Sequence, residues 1–231
     1  DKAMDVDSFV NQELAYLDGV KEKPVEKSQD VVLYGFGRIG RLMARLLVER
    51  TSTGEVMRLK AVVVRPGQEG DLVKRASLFT NDSVHGTFQG TVRIDEERNV
   101  LIANGNELQF IYANTPEEVD YTKYGISDAL VIDNTGAWRD EAGLSRHLNS
   151  KGAAKVILTA PGKGELKNIV FGINDDQIQA DDTIITAASC TTNAIAPVLK
   201  VINDRFGIEH GHIETVHAYT NDQNLIDNYH K

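Results

Sequence analysis

Val31-Val32-Leu33-Tyr34-Gly35-Phe36-Gly37-Arg38-Ile39-Gly40-Arg41 decides the fold of this chain. The first four residues are a short apolar run that reads as a buried strand. Gly35 to Gly40 fits Gly-x-Gly-x-x-Gly. Residues 39–50 then place Leu42, Leu46 and Leu47 at helical spacing, which predicts an amphipathic helix with those leucines inward. A second, valine-rich strand follows at residues 59–64. Strand, glycine turn and helix inside one βαβ unit are the context in which the glycine pattern signals a dinucleotide. Gly35 permits the tight turn, Gly37 lets the backbone approach a pyrophosphate, and Gly40 lets helix and strand pack closely. The helix start offers N–H donors and a positive dipole end. Phe36, Arg38 and Ile39 complete this set of candidate cofactor-binding residues.

Working outward, strands and helices alternate. Residues 70–79 read as a helix. Short strands follow at 87–94, 100–103 and 108–111, with Asn104-Gly105-Asn106 as a hairpin-type turn. Residues 129–132 and 155–159 read as strands flanking a helix at 141–150. Such alternation implies a mostly parallel sheet covered on both faces. The fold class is therefore α/β: a Rossmann-type doubly wound parallel sheet, followed by the beginning of an α+β catalytic domain. The expected divisions are an extension and linker over 1–29, the dinucleotide-binding domain over 30–188, and an incomplete catalytic domain over 189–231. Within the extension, Asp7-Ser8 caps a predicted short helix bearing Phe9, Val10, Leu14 and Leu17. Gly19 stops that helix, a charged linker with Pro24 follows, and the whole is expected to pack on the domain surface. The chain begins at Asp1 rather than Met and ends at Lys231, so it is expected to be trimmed or processed at one or both ends.

Composition narrows the function classes. The 231 residues are 41% hydrophobic and 26% charged, with a net charge of −9. That balance suits a globular protein and argues against nonspecific nucleic-acid binding or an anionic membrane surface. No run approaches the roughly 18 apolar residues that span a bilayer, and no basic-then-apolar pattern of a signal peptide is read in the first residues. One cysteine cannot form an internal disulfide, which is consistent with a reducing compartment; the cytoplasm is expected. No metal site is expected.

That single cysteine, Cys190, lies in Ala187-Ala188-Ser189-Cys190-Thr191-Thr192-Asn193, between a strand-like run at 183–187 and a helix-like run continuing to about residue 206. A thiolate at a helix N-terminus gains from the positive end of the dipole, and the free N–H groups of the first turn can receive an oxyanion. A buried lone cysteine is usually a small hydrophobe, but the surrounding hydroxyls and amide suit anion binding and helix capping better than a core. With His217 on a strand predicted over 212–219, Cys190 reads as a nucleophile with a base.

These segments resemble the active-site and cofactor-binding segments of the phosphorylating glyceraldehyde-3-phosphate dehydrogenase family. The resemblance is carried by Ser189 to Asn193 with Ala194-Ile195-Ala196-Pro197, by Thr215-Val216-His217-Ala218-Tyr219-Thr220-Asn221-Asp222-Gln223, by Tyr34 to Arg41, and by Asn81-Asp82-Ser83-Val84-His85-Gly86. It runs from about Val31 to the end of the chain, in the form of the long bacterial-type variant with an N-terminal extension. It implies Cys190 as nucleophile and His217 as base. It places Ser189, Thr191, Thr220 and Asp222 around two phosphate sites, and Thr135, Gly136 and Thr159 in the cofactor pocket. The substrates implied are a phosphorylated aldehyde and inorganic phosphate, and the assembly a homotetramer. Family members that prefer NAD carry an Asp at the position matching Arg65. An arginine cannot accept a hydrogen bond from a ribose hydroxyl but can pair with a 2′-phosphate, so NAD or NADP is expected, with a lean towards NADP. Family arginines that clamp phosphate, and an asparagine that fixes the nicotinamide amide, fall beyond Lys231, so this segment alone is expected to bind cofactor poorly and to be nearly inactive. The rival readings are an erythrose-4-phosphate dehydrogenase, which shares the Cys–His pair, and a non-catalytic nucleotide-binding or interaction module.

Overall fold

The computed structural model describes residues 5–15, 28–51 and 56–217. Strands β1 (Gln29–Tyr34), β2 (Met57–Val64), β7 (Asn106–Tyr112), β8 (Ala129–Asp133), β9 (Ala153–Leu158) and β10 (Ile184–Thr186) pair in parallel; β5 (Val92–Asp95) and β6 (Val100–Ala103) extend one edge antiparallel. The sheet order is β10-β9-β8-β1-β2-β7-β6-β5. A two-stranded ribbon, β3 (Asn81–Asp82) with β4 (Gly86–Thr87), stands apart, so the single strand predicted over 87–94 is instead β4 and β5. The β6–β7 turn is Asn104-Gly105, with φ of 48° and 79°. Two successive positive φ values match the twist of a two-residue hairpin, which is why Asn-Gly is found there.

The continuous apolar run of β1 is explained by burial on both faces. Val31 and Leu33 point into a core with Ala44, Leu47, Leu72 and Phe79, while Val32 and Tyr34 point into a second core with Ala61, Val131 and Tyr121. Each of the valine, leucine and phenylalanine side chains contributes about 1.5–3 kcal/mol when withdrawn from water. The first core is roofed by α2 (Arg38–Thr51) and α3 (Asp71–Thr80). A third cluster joins Leu144 of α4 (Glu141–Leu148) to Val156 and Leu158 of β9.

Three expectations are corrected. In α2, Leu46 is exposed and Leu42 only half-buried, while Ala44, Leu47 and Val48 are buried together with Arg41 and Arg45. Arg45 enters the interior because its guanidinium donates to the Phe79 carbonyl (2.8 and 2.6 Å) and the Gly86 carbonyl (3.0 Å), capping the end of α3. Leucine periodicity alone misses that rotation of the buried stripe. In α1 (Val6–Leu14), Asp5 is the cap: its carboxylate accepts from the Ser8 N–H (3.0 Å) and hydroxyl (2.6 Å), so Ser8 donates and Asp7 lies inside the first turn. Against the described residues no residue of α1 is buried, where packing on the domain surface was expected; Leu17, Gly19 and Pro24 lie outside the described residues. Third, residues 212–217 are exposed and form no strand. A strand needs a hydrogen-bonded neighbour, and none among the described residues pairs with this segment; Ala218 and Tyr219 lie outside the described residues.

Candidate functional site

Strand order reverses at β1, whose neighbours are β2 and β8, and ligands of doubly wound sheets bind outside the carboxyl ends at such a switch point. A cavity of about 840 Å³ opens there. Of the residues singled out from sequence, Gly35, Phe36, Gly37, Arg65 and Thr135 line it. The three glycines have different physical roles. Gly35 has φ +94°, and a Cβ on it would sit 2.7 Å from the Thr135 methyl. A Cβ on Gly40 would sit 2.3 Å from the Gly35 carbonyl oxygen, so no side chain fits between the turn and α2. A Cβ on Gly37 would meet nothing within 4 Å. Open space beside an otherwise costly glycine is what close approach of a ligand requires.

Arg38, Ile39, Gly40, Gly136 and Thr159 are not among the lining residues. Arg38 opens α2 but turns its guanidinium away, to Asp82 (3.2 Å) and Ser83 (3.1 Å). Asp82 also accepts from the backbone N–H groups of Val84 and His85 (3.0 and 2.9 Å). Burial alone would push the Asp82 carboxyl up, but the hydrogen bonds from His85 and Val84 and the Arg38 charge hold it well below the usual carboxylate range. The Asn81–Gly86 segment thus braces the cofactor turn from behind. Ile39 is 52% exposed. Thr159 donates its hydroxyl to the Asp133 carbonyl (3.1 Å) and Asn134 Oδ1 (3.2 Å), which stitches the ends of β8 and β9 together.

Sequence reasoning missed several lining residues, among them Lys74, Asn114 and Trp138. Trp138 is the sole tryptophan and lies two residues past Gly136, a signal that was available. Lys74 carried none, because it reaches the cavity only through the packing of α3. Burial, and next the Asp133 carboxylate, push the Tyr34 phenol up to about 12.

Cys190 lies at the far side of the same carboxyl edge. It is the exposed first residue of α5 (Cys190–Phe206). Ser189 is the N-cap, its hydroxyl oxygen accepting from the Thr192 N–H at 3.0 Å. Asn193 ties the junction by donating its amide to the carbonyls of Ala187 (2.7 Å) and Ser189 (2.9 Å). Ala188 turns the chain with φ 57°, a left-handed conformation uncommon for alanine. His217 Nε2 lies 3.2 Å from Thr191 Oγ1, so the two sequence candidates for base and nucleophile are linked through the residue beside Cys190. Along the edge the order is Cys190 after β10, Thr159 after β9, Thr135 after β8, Gly35 after β1 and Arg65 after β2. Four strand spacings make that about 19 Å. Thr220 and Asp222 lie outside the described residues.

Comparison with known proteins decides the family. Residues 29–141 match the glyceraldehyde 3-phosphate dehydrogenase NAD binding domain, and residues 189–231 the C-terminal domain of the same family. The chain belongs to the glyceraldehyde-3-phosphate dehydrogenase family. It is 62% identical to a glyceraldehyde-3-phosphate dehydrogenase-like protein of Pseudomonas aeruginosa (strain UCBPP-PA14) over 226 residues, 98% of this chain and 49% of that protein. It is 42% identical to glyceraldehyde-3-phosphate dehydrogenase of Thermotoga maritima over 202 residues, and 38% identical to that of Clostridium pasteurianum over 201 residues; each match covers 87% of this chain, and 57% and 56% of the relative. The chain thus spans about half the length of these dehydrogenases. Their family cofactor fits the site: the unfilled space is at Gly37, which lines the cavity and immediately precedes α2. Among the described residues no group of three or more His, Cys, Asp or Glu side chains could hold a metal ion, and no helix is long and apolar enough to cross a membrane.

Proposed function

We propose that the whole protein catalyses the reversible phosphorylating oxidation of glyceraldehyde 3-phosphate to 1,3-bisphosphoglycerate with NAD or NADP. The observation that carries this reading is the placement of Cys190, at the start of a helix, on the same sheet edge as the glycine-lined cavity. The Cys190 thiolate adds to the aldehyde carbon and the protonated His217 ring gives its proton to the carbonyl oxygen, completing a hemithioacetal. His217 takes the hydroxyl proton back as the carbonyl re-forms, and the developing oxyanion is met by the N–H groups of Cys190 and Thr191, ahead of those of Thr192 and Asn193 that bond Ser189. When bound, the nicotinamide ring supplies the hydride acceptor. What remains on Cys190 is a thioester. Inorganic phosphate attacks its carbonyl carbon, the C–S bond breaks, and the acyl phosphate leaves as the thiolate is restored. The Thr191–His217 hydrogen bond orients the base, while Ser189 contributes by shaping the helix start, since its hydroxyl is already engaged. Thr220 and Asp222 complete the phosphate sites by family resemblance, and a homotetramer in the cytoplasm is the family's usual setting.

Arg65 supports use of NADP. It is exposed at the end of β2 and lines the cavity at the end remote from Cys190, where a ribose 2′-phosphate would lie, and Lys74 adds a second cation to that lining. Initial rates of the whole protein with glyceraldehyde 3-phosphate, phosphate and either cofactor test the proposal. The expected result is NADP turnover at least equal to NAD, falling by about 10- to 100-fold in Arg65→Asp, as for loss of a charge-assisted contact. A strong preference for NAD would overturn the role given to Arg65. Inactivity with both, alongside activity on erythrose 4-phosphate, would overturn the substrate.

A further inference from the structure

One buried polar pair takes no part in the chemistry above. Asp133 ends β8 and His147 lies in α4, and both side chains are 0% exposed. His147 Nε2 sits 3.0 Å from Asp133 Oδ2. A carboxylate offers only lone pairs, so Nε2–H donates. The other oxygen, Oδ1, accepts twice from Thr135: from its N–H at 2.7 Å and its hydroxyl at 2.6 Å. The Asp133 backbone carbonyl accepts twice from Thr159, from its N–H at 3.0 Å and its hydroxyl at 3.1 Å. One residue therefore anchors the turns that leave both β8 and β9. Thr135 in turn packs its methyl where a Cβ of Gly35 would be, so the first glycine turn leans on the same anchor.

The His147 ring is itself held. It meets Tyr34 edge-on at 4.6 Å between centroids and Trp138 edge-on at 5.7 Å, and both of those rings line the cavity. Its other nitrogen, Nδ1, is buried with no hydrogen-bond partner. An apolar ring of similar size would fill that space without stranding a nitrogen, and stranding one is costly. What an apolar ring could not do is donate to Asp133.

We propose that His147 is a positioning residue for the dinucleotide: through Asp133 it fixes Thr135, which lines the cavity, and the Thr159 turn beside it, and so sets cofactor affinity. The inference rests on reading the cavity as the dinucleotide site. The test measures NAD and NADP dissociation constants of the whole protein by calorimetry, together with cofactor KM, kcat and melting temperature. His147→Phe keeps the aromatic packing but removes the donor; His147→Gln restores an N–H. His147→Phe is expected to weaken binding of the preferred cofactor by about tenfold or more, the scale of one buried charge-assisted hydrogen bond. KM should rise with it, while kcat at saturating cofactor falls far less, and His147→Gln should recover most of the affinity. Unchanged affinity in a folded His147→Phe protein would overturn the proposal. So would a loss confined to kcat, or a glutamine variant no better than phenylalanine. If His147→Phe does not fold, Asp133→Asn decides: its amide changes the polarity towards His147 at constant size, and unchanged affinity there overturns the proposal too. Failure of the unmodified protein to bind either cofactor would instead overturn the reading of the cavity.

Discussion

Among the described residues, the cofactor edge and the Cys190 helix are held by different contacts. Around Gly35 and Thr135, buried groups support the site from both faces of the sheet: Phe36 packs on Phe79 and Phe110 on one side, and Tyr34 on Trp138 and His147 on the other. Among the described residues nothing buries a side chain of α5, and Val201 and Phe206 are 67% and 84% exposed. Among the described residues the Cys190 junction is held by local hydrogen bonds among Ala187, Ser189, Thr192 and Asn193. Close-packed shape holds the first site, and among the described residues hydrogen bonds hold the second, so substitutions at the two should read out differently.

Glycine substitutions give the largest expected effects. Gly40→Ala forces a methyl to within 2.3 Å of a backbone oxygen, so it should destabilise the fold by about 1–3 kcal/mol. Thermal melting without ligand reads this directly. Gly37→Ala should leave that melting curve within about 0.5 kcal/mol of the parent, because its Cβ meets open space, yet weaken cofactor binding by about tenfold or more, the cost of a methyl placed at a close contact. Equal behaviour of the two variants would erase the distinction between the packing glycine and the ligand-facing one.

A smaller effect belongs to the exposed site. Thr191→Val removes the partner of His217 Nε2 and should lower kcat by about three- to tenfold, in proportion to one exposed hydrogen bond, with no change in cofactor dissociation constant. A shift in cofactor affinity instead would mean that the two ends of the sheet edge are coupled.

Acid stability returns to the cofactor half. The Asp82 carboxyl is depressed in the folded protein, so its contribution is present above the ordinary value of 3.8 and is lost as pH falls below it. Asp82→Asn should flatten the fall in melting temperature below about pH 4, the ordinary carboxylate range, and leave Cys190 alkylation at neutral pH unchanged.

The same contrast explains what sequence could reveal. The glycine turn, the hairpin at Asn104-Gly105 and the start of α5 at Cys190 were legible because each is a local requirement: positive φ, absent Cβ, or an N-terminal cap. The buried face of α2 was not, because Arg45 is drawn inward by the Phe79 and Gly86 carbonyls, 34 and 41 residues away. The same holds for Lys74, placed in the cavity lining by the docking of α3, and for the Asp133–His147 pair, since an isolated histidine in a helix carries no sign of its partner. The strand expected over 212–219 followed from residue type alone, and residue type does not supply a neighbouring strand.

The most direct test of the account is covalent. The whole protein would be mixed with glyceraldehyde 3-phosphate and oxidised cofactor without inorganic phosphate, digested, and the Cys190 peptide weighed by mass spectrometry. The account predicts a 3-phosphoglyceroyl thioester on Cys190, discharged on adding phosphate and absent from Cys190→Ser. Reduction of cofactor with no acyl group on Cys190, or with one on another residue, would contradict it.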